Sequence, residues 1–300
     1  MLEVSFCGMR LKNPLILASG VRGNSADLLI RAAKEGAGAV TSKSCSLSAR
    51  EGHANPTVVC SNGVWLNAIG LSNPGVEEEI NEIRLAVKRA GVPVIASIVG
   101  FSVDEFAEVA KEISKANPAM IEVDASCPNI EGGGKMFSSC AQDAVLVTKA
   151  VRKATNLPFS IKLSADVPNI GEIASECIRA GAKCITAINT VGGMYIDAYA
   201  RKAVLHNRFG GVSGPAIKPI ALKAVYNIRK TVGPSVPIIG TGGVSCGLDA
   251  IEMIMAGATA VGVGTGVVLR KNAFMEIAKE MKNFMKENGY QKISELTLLE

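Results

Sequence analysis

Apolar residues along this chain fall in short unbroken runs, at 15–19, 39–44, 94–99, 120–126, 159–164, 184–190, 237–243 and 260–266. Such runs are what parallel strands show when both faces are covered. Between them lie segments with apolar residues at helical spacing, 76–90, 102–116, 140–155, 169–180, 215–232 and 246–256. The phrases Gly36–Ala37–Gly38–Ala39, Ala180–Gly181–Ala182 and Ala256–Gly257–Ala258 each put a glycine where a helix has to stop before the next strand. Eight strand–helix units predict one (β/α)8 TIM barrel over residues 1–300, with its site at the C-terminal ends of the strands. A doubly wound open sheet would need a Gly-x-Gly-x-x-Gly turn after its first strand, and Ser19–Gly20–Val21–Arg22–Gly23 does not supply one. Two stretches, 45–75 and 191–213, are long for strand-to-helix loops and lack helical spacing, so they are expected to form lids or substrate walls. Residues 289–300 read as a peripheral tail.

Composition narrows the class. With 48% hydrophobic and 20% charged residues the chain suits a soluble protein with a large core, and 4% aromatics argue against stacking as its means of recognition. The net charge of +5 is spread along the chain without a basic block, so no nucleic-acid partner is expected. Eight cysteines contain no Cys-x-x-Cys pair and there are only two histidines, which excludes an obvious metal or iron–sulfur site within this chain. There is no signal-peptide pattern and no apolar run near the roughly 20 residues that span a bilayer, so a cytoplasmic protein without membrane attachment is expected.

The strand tips carry the candidate chemistry. They bring Ser19, Lys43, Ser44, Ser97, Asp124, Cys127, Asn129, Lys162, Asn189 and Thr190 towards one pocket. Two lysines in one pocket can neutralise an anion or charge developing on a cofactor ring. Gly242–Gly243 and Gly264–Thr265–Gly266 end the last two strands, where backbone N–H groups make a phosphate site and a side chain would hold the phosphate away. These features imply a phosphorylated cofactor across the barrel mouth. Cys127 sits on a corner fixed by Pro128 and followed by Gly132–Gly133–Gly134, a place for a mobile acid/base or nucleophile. The stretch from Asn67 to Gly75 can offer several N–H donors to one carboxylate, or be an ordinary turn.

Taken together, the ordered motifs resemble the class 1 dihydroorotate dehydrogenases, most closely the catalytic subunit of the NAD-coupled type. They are Ala18–Ser19–Gly20, Ser42–Lys43–Ser44, Asn67 to Gly75, Ser126–Cys127–Pro128–Asn129, Ile161–Lys162–Leu163, Ile188–Asn189–Thr190, Gly210 to Pro219, Gly242–Gly243 and Gly264–Thr265. The resemblance implies an FMN-containing barrel that oxidises dihydroorotate to orotate in pyrimidine (UMP) biosynthesis. It implies Cys127 as the base at C5, with hydride passing from C6 to flavin N5; a thiol with an ordinary pKa near 8.5 is lowered by nearby positive charge. FMN would be held by Ser19, Lys43, Ser44, Ser97, Asp124, Lys162, Ile188, Gly214, Gly242, Gly243, Gly264 and Thr265. Substrate would be held by Lys43, Asn67, the backbone of Ile69, Gly70 and Leu71, and by Asp124, Asn129, Asn189 and Thr190.

Asp124 and Ser97 stand where the family usually has asparagine. An ionised aspartate only accepts hydrogen bonds, whereas asparagine also donates. Pairing of Asp124 with Lys162 or Lys43 is one expectation, and a different dihydropyrimidine substrate is the alternative reading. With no cysteine cluster and no dinucleotide fingerprint here, a separate subunit carrying iron–sulfur and FAD centres is expected to pass electrons to NAD. A homodimer is also expected.

Overall fold

The structure is a computed structural model that describes residues 1–126 and 136–296. Eight parallel strands close on themselves: β1 (Leu15–Leu17), β2 (Ala39–Thr41), β3 (Val94–Ile98), β4 (Met120–Asp124), β5 (Phe159–Leu163), β6 (Cys184–Ala187), β7 (Ile238–Thr241) and β8 (Ala260–Val263). Each pairs with its sequence neighbour, and β8 pairs with β1. The longer helices are α1 (Ala26–Lys34), α2 (Val76–Arg89), α3 (Val103–Ser114), α4 (Ala141–Ala154), α5 (Ile170–Arg179), α6 (Lys218–Val232), α7 (Gly247–Met255) and α8 (Ala273–Glu287), with a single helical turn at Gly266–Leu269 after the last strand. The barrel expected from the apolar runs is the barrel observed. Gly36, Gly181 and Gly257 all have positive φ where their helices stop.

Alternation within each strand sorts the side chains. On β4, Ile121 and Val123 join the outer core shared with the helices, while Met120 joins an inner floor cluster. That floor contains Ile16, Ile95, Cys184 and Ile239, and is capped by Phe6 and Leu11. The cap is an antiparallel hairpin, Val4–Phe6 with Met9–Leu11, which the apolar runs did not announce. Fully burying a side chain the size of Phe6 contributes about 2 kcal/mol, so the hairpin is part of the core. Residues 289–296, expected as a peripheral tail, also pack: Ile293 and Leu296 are buried, and the Ile293 N–H donates to the Met1 carbonyl.

The two long stretches come together. Val58–Ser61, Val64–Asn67, Val191–Met194 and Phe209–Ser213 form a four-stranded antiparallel sheet at the mouth of the barrel. Asn67 pairs with both Val58 and Gly211, and Trp65 pairs with Ser213. The two stretches, expected as lids or substrate walls, form a sheet that presents Val58, Trp65, Asn67 and Ser213 to the cavity.

Candidate active site

A cavity of about 520 Å³ opens at the C-terminal ends of the strands, within the range of small-molecule and cofactor pockets. It is lined by Ser19, Lys43, Ser44, Asn67, Ile69, Gly70, Leu71, Asp124, Lys162, Ile188, Asn189, Thr190, Gly214, Gly242, Gly243, Gly264 and Thr265. All of these were expected from the sequence. Ser97 was expected too, but it is fully buried beneath the cavity, where its hydroxyl meets that of Ser44 at 2.8 Å. Cys127 and Asn129 lie outside the described residues.

The floor of the cavity is charged. Lys162 on β5 reaches across to donate to Ser19 Oγ at 2.7 Å, and its ammonium lies 3.6 Å from Glu122 and 3.9 Å from Asp124. All three ionisable side chains are nearly fully buried, an arrangement that needs opposite charges together. Glu122 was not anticipated. The signal was present, because Glu122 and Asp124 are two residues apart on one strand and so share its inner face. Asp124 pairs with Lys162, as one expectation had it. Its Oδ1 also accepts from the Ser126 N–H at 3.2 Å, the Ser126 hydroxyl at 2.9 Å and the Asn189 amide at 3.3 Å. Every partner is a donor or a cation, which is the set a carboxylate satisfies.

Beneath Lys43, Glu79 of α2 is 1% exposed, and burial pushes its carboxyl up to about 7. Ser42 and Lys43 oppose that rise.

At the β7–β8 end, the N–H groups of Gly243, Val244, Gly264 and Thr265 donate to no described residue. Gly243 has φ +76, and a Cβ there would come within 2.8 Å of Lys218 backbone. A Cβ on Gly264 would meet only Ala18, at 3.8 Å, so the space beside it belongs to the cavity. The following turn is fixed from below. Asp249 Oδ2 accepts from the Ser245 N–H and hydroxyl, both at 2.9 Å, and from the Cys246 N–H at 3.1 Å. Its Oδ1 takes Lys218 at 2.7 Å. Burial raises the Asp249 carboxyl, but Lys218 and the Ser245 donors outweigh it and leave the group below its ordinary value. Ser245 is therefore spent on the scaffold, and the four N–H groups beside it have no acceptor among the described residues.

At the sheet side, Asn67 donates to the Gly211 carbonyl at 3.1 Å. The N–H groups of Ile69, Gly70 and Leu71 that follow it have no acceptor among the described residues. The cavity thus holds two separate sets of unpaired N–H donors together with Lys43 and Lys162.

Comparison with known proteins accords with this layout. A family profile described as dihydroorotate dehydrogenase matches residues 1–285. The chain belongs to the dihydroorotate dehydrogenase family. It is 45% identical over 293 residues to a Methanocaldococcus jannaschii protein named "Dihydroorotate dehydrogenase B (NAD(+)), catalytic subunit", covering 96% of this chain and 95% of that one. A Pyrococcus abyssi protein of the same name is 42% identical over 297 residues, covering 99% and 98%. One from Geotalea uraniireducens is 39% identical over 296 residues, covering 98% and 96%. The family is one of oxidoreductases. Among the described residues no group of three or more potential ligands is placed to hold a metal, and no helix is long and apolar enough to cross a membrane.

Proposed function

We propose that the protein binds FMN in this cavity and oxidises dihydroorotate to orotate, with Cys127 as the base that takes the C5 proton. The observation that carries the reading is the pair of unpaired N–H sets in one cavity, one for a phosphate and one for a carboxylate, with two lysines in the same space. The residues fit FMN: the open space beside Gly264 and the free N–H groups at 243, 244, 264 and 265 suit a phosphate at the strand ends. When bound, FMN supplies at its N5 the acceptor for the hydride that leaves C6.

The chain's own residues do the rest. Lys162, held by Ser19, and Lys43 bring positive charge to the cavity and stabilise negative charge there. Asn67 and the backbone of Ile69, Gly70 and Leu71 hold the substrate carboxylate, while Asn129, Asn189 and Thr190 orient the ring. Ser126 is anchored through its N–H and hydroxyl to Asp124, and its hydroxyl also takes the Asn189 amide at 3.0 Å. The residue that precedes the base is thus fixed from two strands.

Electrons leave through a separate subunit bearing iron–sulfur and FAD centres that passes them to NAD, and the catalytic chain forms a homodimer in the cytoplasm. The second reading, another dihydropyrimidine as substrate, is favoured by one observation, the carboxylate of Asp124 in the cavity. Anaerobic addition of dihydroorotate to the FMN-loaded protein should bleach the flavin, and dihydrouracil should not. Cys127→Ser should retain FMN and lose most of the bleaching. Bleaching by dihydrouracil alone would move the assignment to the second reading.

A further inference from the structure

The segment that presents N–H groups to the cavity has a back as well as a face. The Ala68, Ile69 and Leu71 carbonyls on that side are taken. His53 Nδ1 lies 3.2 Å from the Ala68 oxygen, the His53 N–H donates to the Ile69 oxygen at 3.1 Å, and the Asn73 amide donates to the Leu71 oxygen at 2.8 Å. Gly70 and Leu71 both have positive φ, +75 and +57, so the segment is a turn, and its three successive N–H groups without acceptors among the described residues suit an anion nest. His53 packs directly on that nest: a Cβ on Gly70 would come within 2.6 Å of the His53 backbone nitrogen and 2.8 Å of its ring. The ring is half-buried and borders a polar surface pocket of about 420 Å³ shared with His206, Asn207 and Arg208, so it is not there to fill the core.

We propose that His53 is a positioning residue for the substrate carboxylate: it ties back the Ala68 and Ile69 carbonyls so that the N–H groups of 69–71 face the cavity. The proposal rests on reading 67–71 as the carboxylate cradle. A carbonyl only accepts, so Nδ1 must carry the proton, and neutral His53 is the Nδ1–H tautomer with Nε2 bare. The ring holds the Ala68 carbonyl while the His53 backbone N–H holds that of Ile69, so the side chain orients the Ala68–Ile69 peptide plane and its effect reaches substrate only through it. The signature is a change in carboxylate binding and not in the chemical step.

Nitrogen-15 NMR of the histidine-labelled protein, with His206→Gln to assign the two signals, reads the tautomer without any substrate. The Nδ1–H form is expected; an Nε2–H form overturns the proposal. His53→Ala should raise the KM for dihydroorotate and the Kd for orotate about tenfold, the scale of one lost net hydrogen bond, with the maximal rate of flavin reduction unchanged. His53→Asn, whose side-chain amide can stand where Nδ1 stood, should return both to within about threefold of the parent protein. Equal effects of the two substitutions, or a fall in maximal rate at constant KM, would sink the idea. If His53→Ala does not fold, the tautomer and the His53→Asn binding constants decide. If the FMN-loaded parent protein is not reduced by dihydroorotate, the substrate reading fails, and the tautomer still decides whether His53 holds the nest.

Discussion

Asp124 on β4 accepts the side-chain amide of Asn189, which follows β6, at 3.3 Å, so two strands that do not neighbour each other are joined at the cavity floor. The same oxygen takes both donors of Ser126. Asp124→Ala leaves both Ser126 donors without their acceptor and removes one contact of the Asn189 amide, and should cost about 2–4 kcal/mol of stability by urea denaturation. Asp124→Asn keeps an oxygen in place and removes a negative charge near an anionic substrate. Its stability should stay close to the parent protein, and its KM for dihydroorotate should fall about threefold. Equal destabilisation by both substitutions would show that charge, not acceptance, matters.

Lys162 is the cation shared by Glu122 and Asp124. Removing one partner of a buried ionic group leaves uncompensated charge, so Lys162→Met should lose about 3–5 kcal/mol. Adding Glu122→Gln to Lys162→Met should recover part of that loss, since one of the two stranded carboxylates is then neutral. A double variant less stable than Lys162→Met alone would rule out the charge argument.

Two glycines at the phosphate end should separate folding from binding. Gly264→Ala meets only Ala18 and occupies cavity space. It should unfold at the parent midpoint and bind FMN about tenfold more weakly in an equilibrium titration. Gly243→Ala forces positive φ on an alanine against the Lys218 backbone and should lower stability by at least about 1 kcal/mol. Undiminished FMN affinity in Gly264→Ala would place the phosphate elsewhere.

Glu79 gives a pH test with a defined sign. Burial raises its carboxyl from 4.5 to about 7, so the folded state holds the proton more tightly than the unfolded one. The stabilisation is complete below pH 4.5 and is lost as pH rises through 7. It amounts to about 3 kcal/mol. Glu79→Gln should flatten that part of the stability–pH curve and make the protein more stable than its parent at pH 8. Parallel curves for the two proteins would refute the assignment.

The barrel was legible because its strands are covered on both faces and so appear as unbroken apolar runs. The tips of those runs led to Lys43, Asp124, Lys162 and Asn189, which the fold does bring together. The mouth sheet was not legible. Two of its strands, Val191–Met194 and Phe209–Ser213, each contain a pair of adjacent glycines, which weaken strand propensity and erase alternation. Ser97 was misplaced relative to the cavity because a strand position fixes direction and not depth: it faces inward but lies below Ser44. Trp65 and Val58 went unnoticed for the same reason as their sheet, since nothing local tied 58–67 to the barrel mouth.

The mouth sheet is woven from two pieces of chain that lie more than a hundred residues apart, Asn67 pairing directly with Gly211. Neither piece makes the wall alone, so an insertion or substitution in one is felt at once by the other. The β7–β8 end belongs to the barrel strands and touches that weave through the Thr265 hydroxyl, which donates to Ser213 Oγ at 2.9 Å. Wall and barrel end are thus coupled at one hydroxyl pair, and a change at Ser213 is transmitted to the strand tips as well as along the sheet.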